Sequence, residues 1–168
     1  MKHLTLVRHG QAEWKESAAA DFDRPLTRRG LAEALDVARR LRARDLPPPG
    51  LIMTSPARRA VETAEAIARE SGLTARVVKR IATLYLASPA ELADAIRATG
   101  PLVSHLLIVG HNPGISDFAR QCAPDAGIPS FATGASCILS IDSEDWRTGT
   151  SAIEAHYGAP GRFFDLWH

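Results

Sequence analysis

The chain is poor in cysteine, in long apolar runs and in net charge. Cys122 and Cys137 are the two thiols among 168 residues, and they lack CxxC spacing. That excludes a zinc ribbon and a disulfide-framed scaffold, and leaves two half-buried thiols in a reducing compartment. No apolar run approaches about 18 residues, so nothing reads as a membrane span. No basic segment backed by an apolar core leads the chain, so a cytoplasmic protein is expected. Lys and Arg total 20 against 19 Asp and Glu, a net charge of +1. There is neither a broad field nor a basic tail, so neither nucleic acid nor a membrane is expected as a partner. No internal repeat, low-complexity tract or dividing linker is present, and one domain over 1–168 is expected.

What is present alternates between strand and helix. "LTLV" (Leu4 to Val7) is a short apolar run. The next apolar-periodic segment places Leu31, Ala34, Leu35, Ala38 and Leu41 on one helical face, with Thr27 as N-cap. "LIMTS" reads as a second strand. A second helix follows, with Ser55 as N-cap, Pro56 in the first turn and Ala60, Val61, Ala64, Ile67 and Ala68 facing inward. "ARVVKRI" is a third, more exposed strand. Ser88, Pro89 and Glu91 form a capping box that opens a third helix. "LLIVG" has no polar face and reads as a buried strand. "NPGISDFARQC" starts a fourth helix, and "SCILSID" and "SAIEAHYG" read as a terminal antiparallel pair. This order predicts a layered α/β fold with a mostly parallel sheet.

In such sheets ligands bind at the carboxyl ends of the strands. Three predicted strand ends carry unusual residues: Arg8-His9-Gly10, then Arg58 and Arg59 within "TSPARRA", then Gly110-His111-Asn112-Pro113-Gly114. Arginines in a first helical turn oppose the helix dipole. They call for either full solvation or a counter-anion, and a phosphate satisfies both the cations and the free N–H groups. Arg8 can hold an oxyanion in a fork, and Gly10 lets the chain turn and approach a ligand. An imidazole placed there can attack phosphorus if its other nitrogen donates to a fixed acceptor. The same logic makes His111 a second phosphate contact. A metal would compete for two histidines, but arginines repel a cation, so no metal is expected.

"LVRHGQAEW", "SPARRAVETA" and "VGHNPG" together resemble the histidine phosphatase superfamily, the phosphoglycerate mutase-like proteins. "DFDRPLTRRG" and "FATGA" resemble its short phosphohistidine phosphatase branch. The resemblance implies a three-layer α/β/α sandwich without metal or organic cofactor. It implies His9 as the nucleophile that becomes phosphorylated, with Arg8, Arg59 and His111 around the phosphoryl group. Arg59 rather than Arg58 matches the family pattern, which leaves Arg58 as a substrate or rim contact. Gly10, Lys15, Asn112 and Thr133 are the further candidates for phosphate or substrate contacts, with Ser136 beside Thr133. Lys15 stands where many relatives carry asparagine.

Larger relatives place a glutamate after the third strand as general acid. Here Leu84 and Tyr85 stand there, and Glu91 is explained by its cap. Glu13, Asp21 and Asp23 are the remaining candidates for the acid, or there is none. The imidazole of phosphohistidine leaves more readily than an alkoxide, so the missing acid favours a phosphohistidine substrate. The expected activity is a phosphatase acting on a phosphorylated protein. A phosphatase for a small phosphoester and a non-catalytic phosphate-binding module are the alternatives. His3, His105, His156 and His168 are read as structural or solvent-facing. Trp14 is read as a pocket rim or a packing residue.

Overall fold

The computed structural model describes residues 1–165, so His168 lies outside the described residues. The elements are β1 (Lys2–Arg8), α1 (Arg28–Arg42), β2 (Leu51–Thr54), α2 (Arg58–Glu70), β3 (Val78–Arg80), α3 (Pro89–Arg97), β4 (His105–Gly110), α4 (Gly114–Cys122), β5 (Ser136–Ile141), β6 (Glu154–Ala159) and β7 (Arg162–Asp165). One sheet takes them in the order β3-β2-β4-β1-β5-β6-β7. β3, β2, β4 and β1 pair in parallel, and β5, β6 and β7 extend the sheet as an antiparallel meander.

Alternation along the central strands builds two cores. Leu4 and Leu6 of β1, with Leu106 and Ile108 of β4, face α3 and α4. Val7, Leu107 and Val109 face α1 and α2. The result is the expected three-layer sandwich, with a fully buried β4 that carries no polar face because both sides are covered. The connection leaving β1 therefore runs to one face and that leaving β4 to the other. Between these adjacent parallel strands lies the crevice where open α/β sheets bind ligands.

Most local signals hold. The Thr27 side chain caps α1, and the Ser88–Glu91 capping box is complete. Three expectations need correction. α2 begins at Arg58 with Ala57 as N-cap, because the Ser55 hydroxyl accepts from the Ala57 N–H and shares a hydrogen bond with a histidine instead of capping a longer helix. Leu31 lies outside the buried face of α1, which is formed by Gly30, Glu33, Ala34, Val37, Ala38 and Leu41. The terminal antiparallel pair gains a third strand, β7. Both cysteines are fully buried, and burial raises the Cys122 thiol to about 11. No helix among the described residues is long and apolar enough to cross a membrane.

Candidate active site

The parallel register of β1 and β4 pairs Arg8 with Gly110. The next residue on each strand is a histidine, so His9 and His111 meet with ring centroids 5.1 Å apart. Both are buried. Arg59, from the first turn of α2, enters the same place and is itself buried. Together with Arg8, Gln11, Ala12, Arg24 and Thr133 they line a cleft of about 330 Å³.

The His9 ring is fixed at both nitrogens. Nδ1 lies 2.7 Å from the Gly10 carbonyl oxygen and donates to it. Nε2 accepts from Arg59 Nε at 3.3 Å, so it is unprotonated and its lone pair is directed at Arg59. Burial, aided by the charges on Arg59 and Arg8 and opposed by the Gly10 bond, lowers the His9 pKa to about 3. His111 is lowered to about 4 by burial and then by Arg59. Both rings are neutral at neutral pH. His111 Nδ1 stands 3.4 Å from Arg59 Nη2, and its Nε2 stands 2.7 Å from Ser55 Oγ. Ser55 was expected as a helix cap, and here it orients a ring.

Arg59 is clasped from outside. Its Nη1 donates to the Asp21 carbonyl at 2.7 Å and its Nη2 to the Asp21 carboxylate at 3.0 Å. Arg24 and the Tyr85 hydroxyl donate to the same carboxylate. These bonds, Arg24 first, hold the Asp21 carboxyl well below the usual carboxylate range. Asp21 is thus an ionised clasp and not a proton donor. Among the described residues no hydrogen bond joins Glu13 or Asp23 to the histidines; the Glu13 backbone bonds Pro25 and Arg24, and the Asp23 N–H bonds Ala20. Arg8 donates from Nη1 to the Phe131 carbonyl at 2.9 Å, while its buried Nε has no partner among the described residues.

Several expected contacts lie elsewhere or do other work. Arg58 is exposed and donates to Glu62 at 2.8 Å. Lys15 sits in a short exposed turn, outside the cleft lining. Gly10 serves helix packing, since a Cβ there would lie 2.4 Å from the Gly30 carbonyl oxygen. The Asn112 amide donates to the Phe131 carbonyl and its oxygen accepts from Ser116, so this side chain shapes the cleft wall. The Thr133 hydroxyl donates to Glu33. Ser136 is buried in β5 beneath Arg40. Trp14 is 81% exposed, so it is not a core residue, and it is not among the residues lining the cleft.

Four residues at the cleft were not singled out from sequence. Glu33, buried on α1, accepts from the Gln11 N–H at 2.8 Å and from Thr133, tying two cleft loops together. Its signal was a charge on the apolar face of a helix. Gln11 has its side-chain oxygen occupied by the Thr27 hydroxyl at 2.9 Å, which leaves its amide nitrogen unpartnered among the described residues. Arg24 and Leu86 reach the cleft by long-range packing that no local pattern announces. Among the described residues no three His, Cys, Asp or Glu side chains cluster so as to hold a metal ion.

A neutral imidazole with its far nitrogen tied, two arginine forks and a second imidazole can accept, hold and release a phosphoryl group. Comparison with known proteins agrees with that chemistry. The model of the histidine phosphatase superfamily (branch 1) matches residues 4–88. An uncharacterized protein of Picosynechococcus sp. is 36% identical over 154 residues, covering 91% of this chain and 89% of the relative. The structure of the proposed phosphohistidine phosphatase SixA from Agrobacterium tumefaciens is 30% identical, covers 84% of this chain and 92% of that one, and superposes with a TM-score of 0.73. Its counterpart from Nakamurella multipartitia is 28% identical, covers 90% of each chain and gives 0.75. This chain belongs to the histidine phosphatase superfamily. Within it, the chain is a phosphatase that resembles the short SixA-type proteins.

Proposed function

We propose that the protein removes phosphate from phosphohistidine in a protein, without metal, through a covalent phosphohistidine intermediate on His9. The observation that carries this reading is the Nδ1 bond to the Gly10 carbonyl, which leaves Nε2 unprotonated at the cleft. His9 Nε2 attacks phosphorus, and the bond from phosphorus to the substrate imidazole breaks. The departing imidazole takes up a proton from solvent. Water then attacks the phosphoenzyme, the P–Nε2 bond breaks, and inorganic phosphate leaves with His9 neutral again. The phosphoryl oxygens stay charged throughout, so fixed cations do most of the work. Arg59 and Arg8 are those cations, and a phosphoryl oxygen supplies the partner that the buried Arg8 Nε lacks. His111 stabilises charge and forms no bond to phosphorus. A cationic wall repels metal ions, which supports chemistry that proceeds without one.

The choice of substrate rests on the missing acid. Asp21 is held ionised by Arg24, Tyr85 and Arg59, and among the described residues neither Glu13 nor Asp23 is hydrogen-bonded to the histidines. An alkoxide leaving group needs a proton donor in the transition state, whereas an imidazole needs much less help. The proposed assignment of the SixA relatives supports the same substrate class.

The test is rapid quench with labelled phosphohistidine protein in excess EDTA, followed by peptide mapping. Label is expected on His9, acid-labile and base-stable as a phosphoramidate is. His9→Ala should trap none. His111→Ala should still accumulate phosphoenzyme, more slowly, because Arg8 and Arg59 remain. Label on His111, or turnover that EDTA abolishes and a metal restores, would overturn the reading.

A further inference from the structure

One backbone feature of the cleft has no part in that chemistry. Leu86 has φ of 50°, and it is the one non-glycine residue with positive φ among the described residues. In that region Cβ crowds the following carbonyl, and branched or bulky side chains are rarely found there. Such residues persist where the surroundings over-determine them, and they concentrate at functional sites. The surroundings here do so. On one side, the Tyr85 hydroxyl is tied to Asp21 and its ring stands edge-on to His111 at 5.5 Å. On the other, Ala87 is pressed so closely against Gly114 that a Cβ there would lie 1.8 Å from the Ala87 carbonyl oxygen. Ser88 then enters the capping box of α3.

The side chain itself gains little from the fold. Leu86 is 56% exposed and lines the cleft with His9, Arg59 and His111. A glycine would take this backbone freely. The isobutyl group is thus an apolar surface held at the mouth of an otherwise cationic site. It offers no hydrogen bond to a sugar or polyol hydroxyl.

We infer that Leu86 is a specificity-determining residue, which packs against the flat apolar or heteroaromatic face of the group attached to the phosphoryl and disfavours polyhydroxylated ones. The inference rests on the cleft being the phosphoryl site, and the imidazole of a phosphohistidine has such a face. Leu86 takes no part in bond making. It sorts substrates that the arginines and histidines hold alike.

Binding of two non-hydrolysable dianions separates these contributions. Methylphosphonate presents the charged group alone, and phenylphosphonate adds a flat ring. Calorimetry at a pH where both are dianions gives the ratio of their affinities. The intact protein should favour phenylphosphonate about tenfold, the order of one apolar contact in a pocket. Leu86→Ala should abolish that preference and leave methylphosphonate binding as it was. Leu86→Gly should do the same although it also relieves the backbone, which separates the side chain from the strain. An equal preference in the intact protein, a preference surviving in Leu86→Ala, or parallel loss of both ligands would each overturn the inference. Failure of the intact protein to bind methylphosphonate would instead overturn the phosphoryl site, and this inference with it.

Discussion

Arg58 and Arg59 are sequence neighbours with opposite surroundings. Arg58 is in solvent, paired with Glu62. Arg59 is buried against both histidines and clasped by Asp21. Arg59→Ala should cost about 10²–10³-fold in kcat/KM, the scale of one donor to a charged reacting group. Arg58→Ala should stay within about twofold, since exposed pairs contribute little. Steady-state assays on phosphohistidine protein decide this, and equal losses would contradict it. Arg8, His9 and His111 stood out in the sequence because they stand at strand ends, where polar residues after an apolar run invite a question, and Arg59 because a cation in a first helical turn opposes the helix dipole. Gln11 and Glu33 were not. Their parts depend on α1 returning against the β1 turn, which only tertiary packing sets. Lys15 and Arg58 were legible as cations, but neither is among the residues lining the cleft, because sequence shows charge without showing which way a short turn or helix faces.

At the scale of elements, two close approaches hold the cleft in shape. Gly10 and Gly30 bring the turn after β1 against the start of α1, and Gly114 brings α4 against the loop before α3. A Cβ on Gly30 would lie 2.0 Å from the Gln11 carbonyl oxygen, a backbone atom that cannot step aside. Gly30→Ala should therefore destabilise the fold by about 3 kcal/mol or more and lower activity by shifting the His9 turn. Gly100 has nothing within 4 Å of such a Cβ. Gly100→Ala should stay within about 0.5 kcal/mol, which makes it the control in denaturant unfolding. A small effect at Gly30 would show that α1 can move outward without cost. The element order and both faces of the sheet were legible from periodicity and caps. The start of α2 was not, since Ser55 has two uses for one hydroxyl and the histidine 56 residues away is invisible to a local reading. Leu31 was misassigned because a buried glutamate takes its place on the inner face of α1.

Across the whole molecule, the buried neutral imidazoles couple stability to pH. His105 lies far from the cleft, bonded to Thr5 and to the Pro47 carbonyl, and burial lowers it to about 4. His9 and His111 are lowered to about 3 and about 4. Between the ordinary value of 6.5 and those values, the unfolded chain binds more protons than the folded one. Stability is therefore full above about pH 6.5 and falls as the pH drops toward 4. Urea unfolding at pH 7.5 and pH 5 should show a lower midpoint at pH 5. His105→Gln should narrow the difference, and a midpoint independent of pH would contradict the assignment. The same chain has a net charge of +1, so no long-range field gathers anions toward it. Anion choice is local, and the Asp21 clasp on Arg59 sets its terms. Arg59 already has a carboxylate partner in Asp21, so on the proposed function entry of a phosphoryl group is an exchange of partners around Arg59. Chloride or a stray monoanion offers that guanidinium no more than Asp21 does. On the proposed function, a dianion with three oxygens also reaches Arg8 and the histidine pair, so it has contacts to gain that the Asp21 carboxylate lacks.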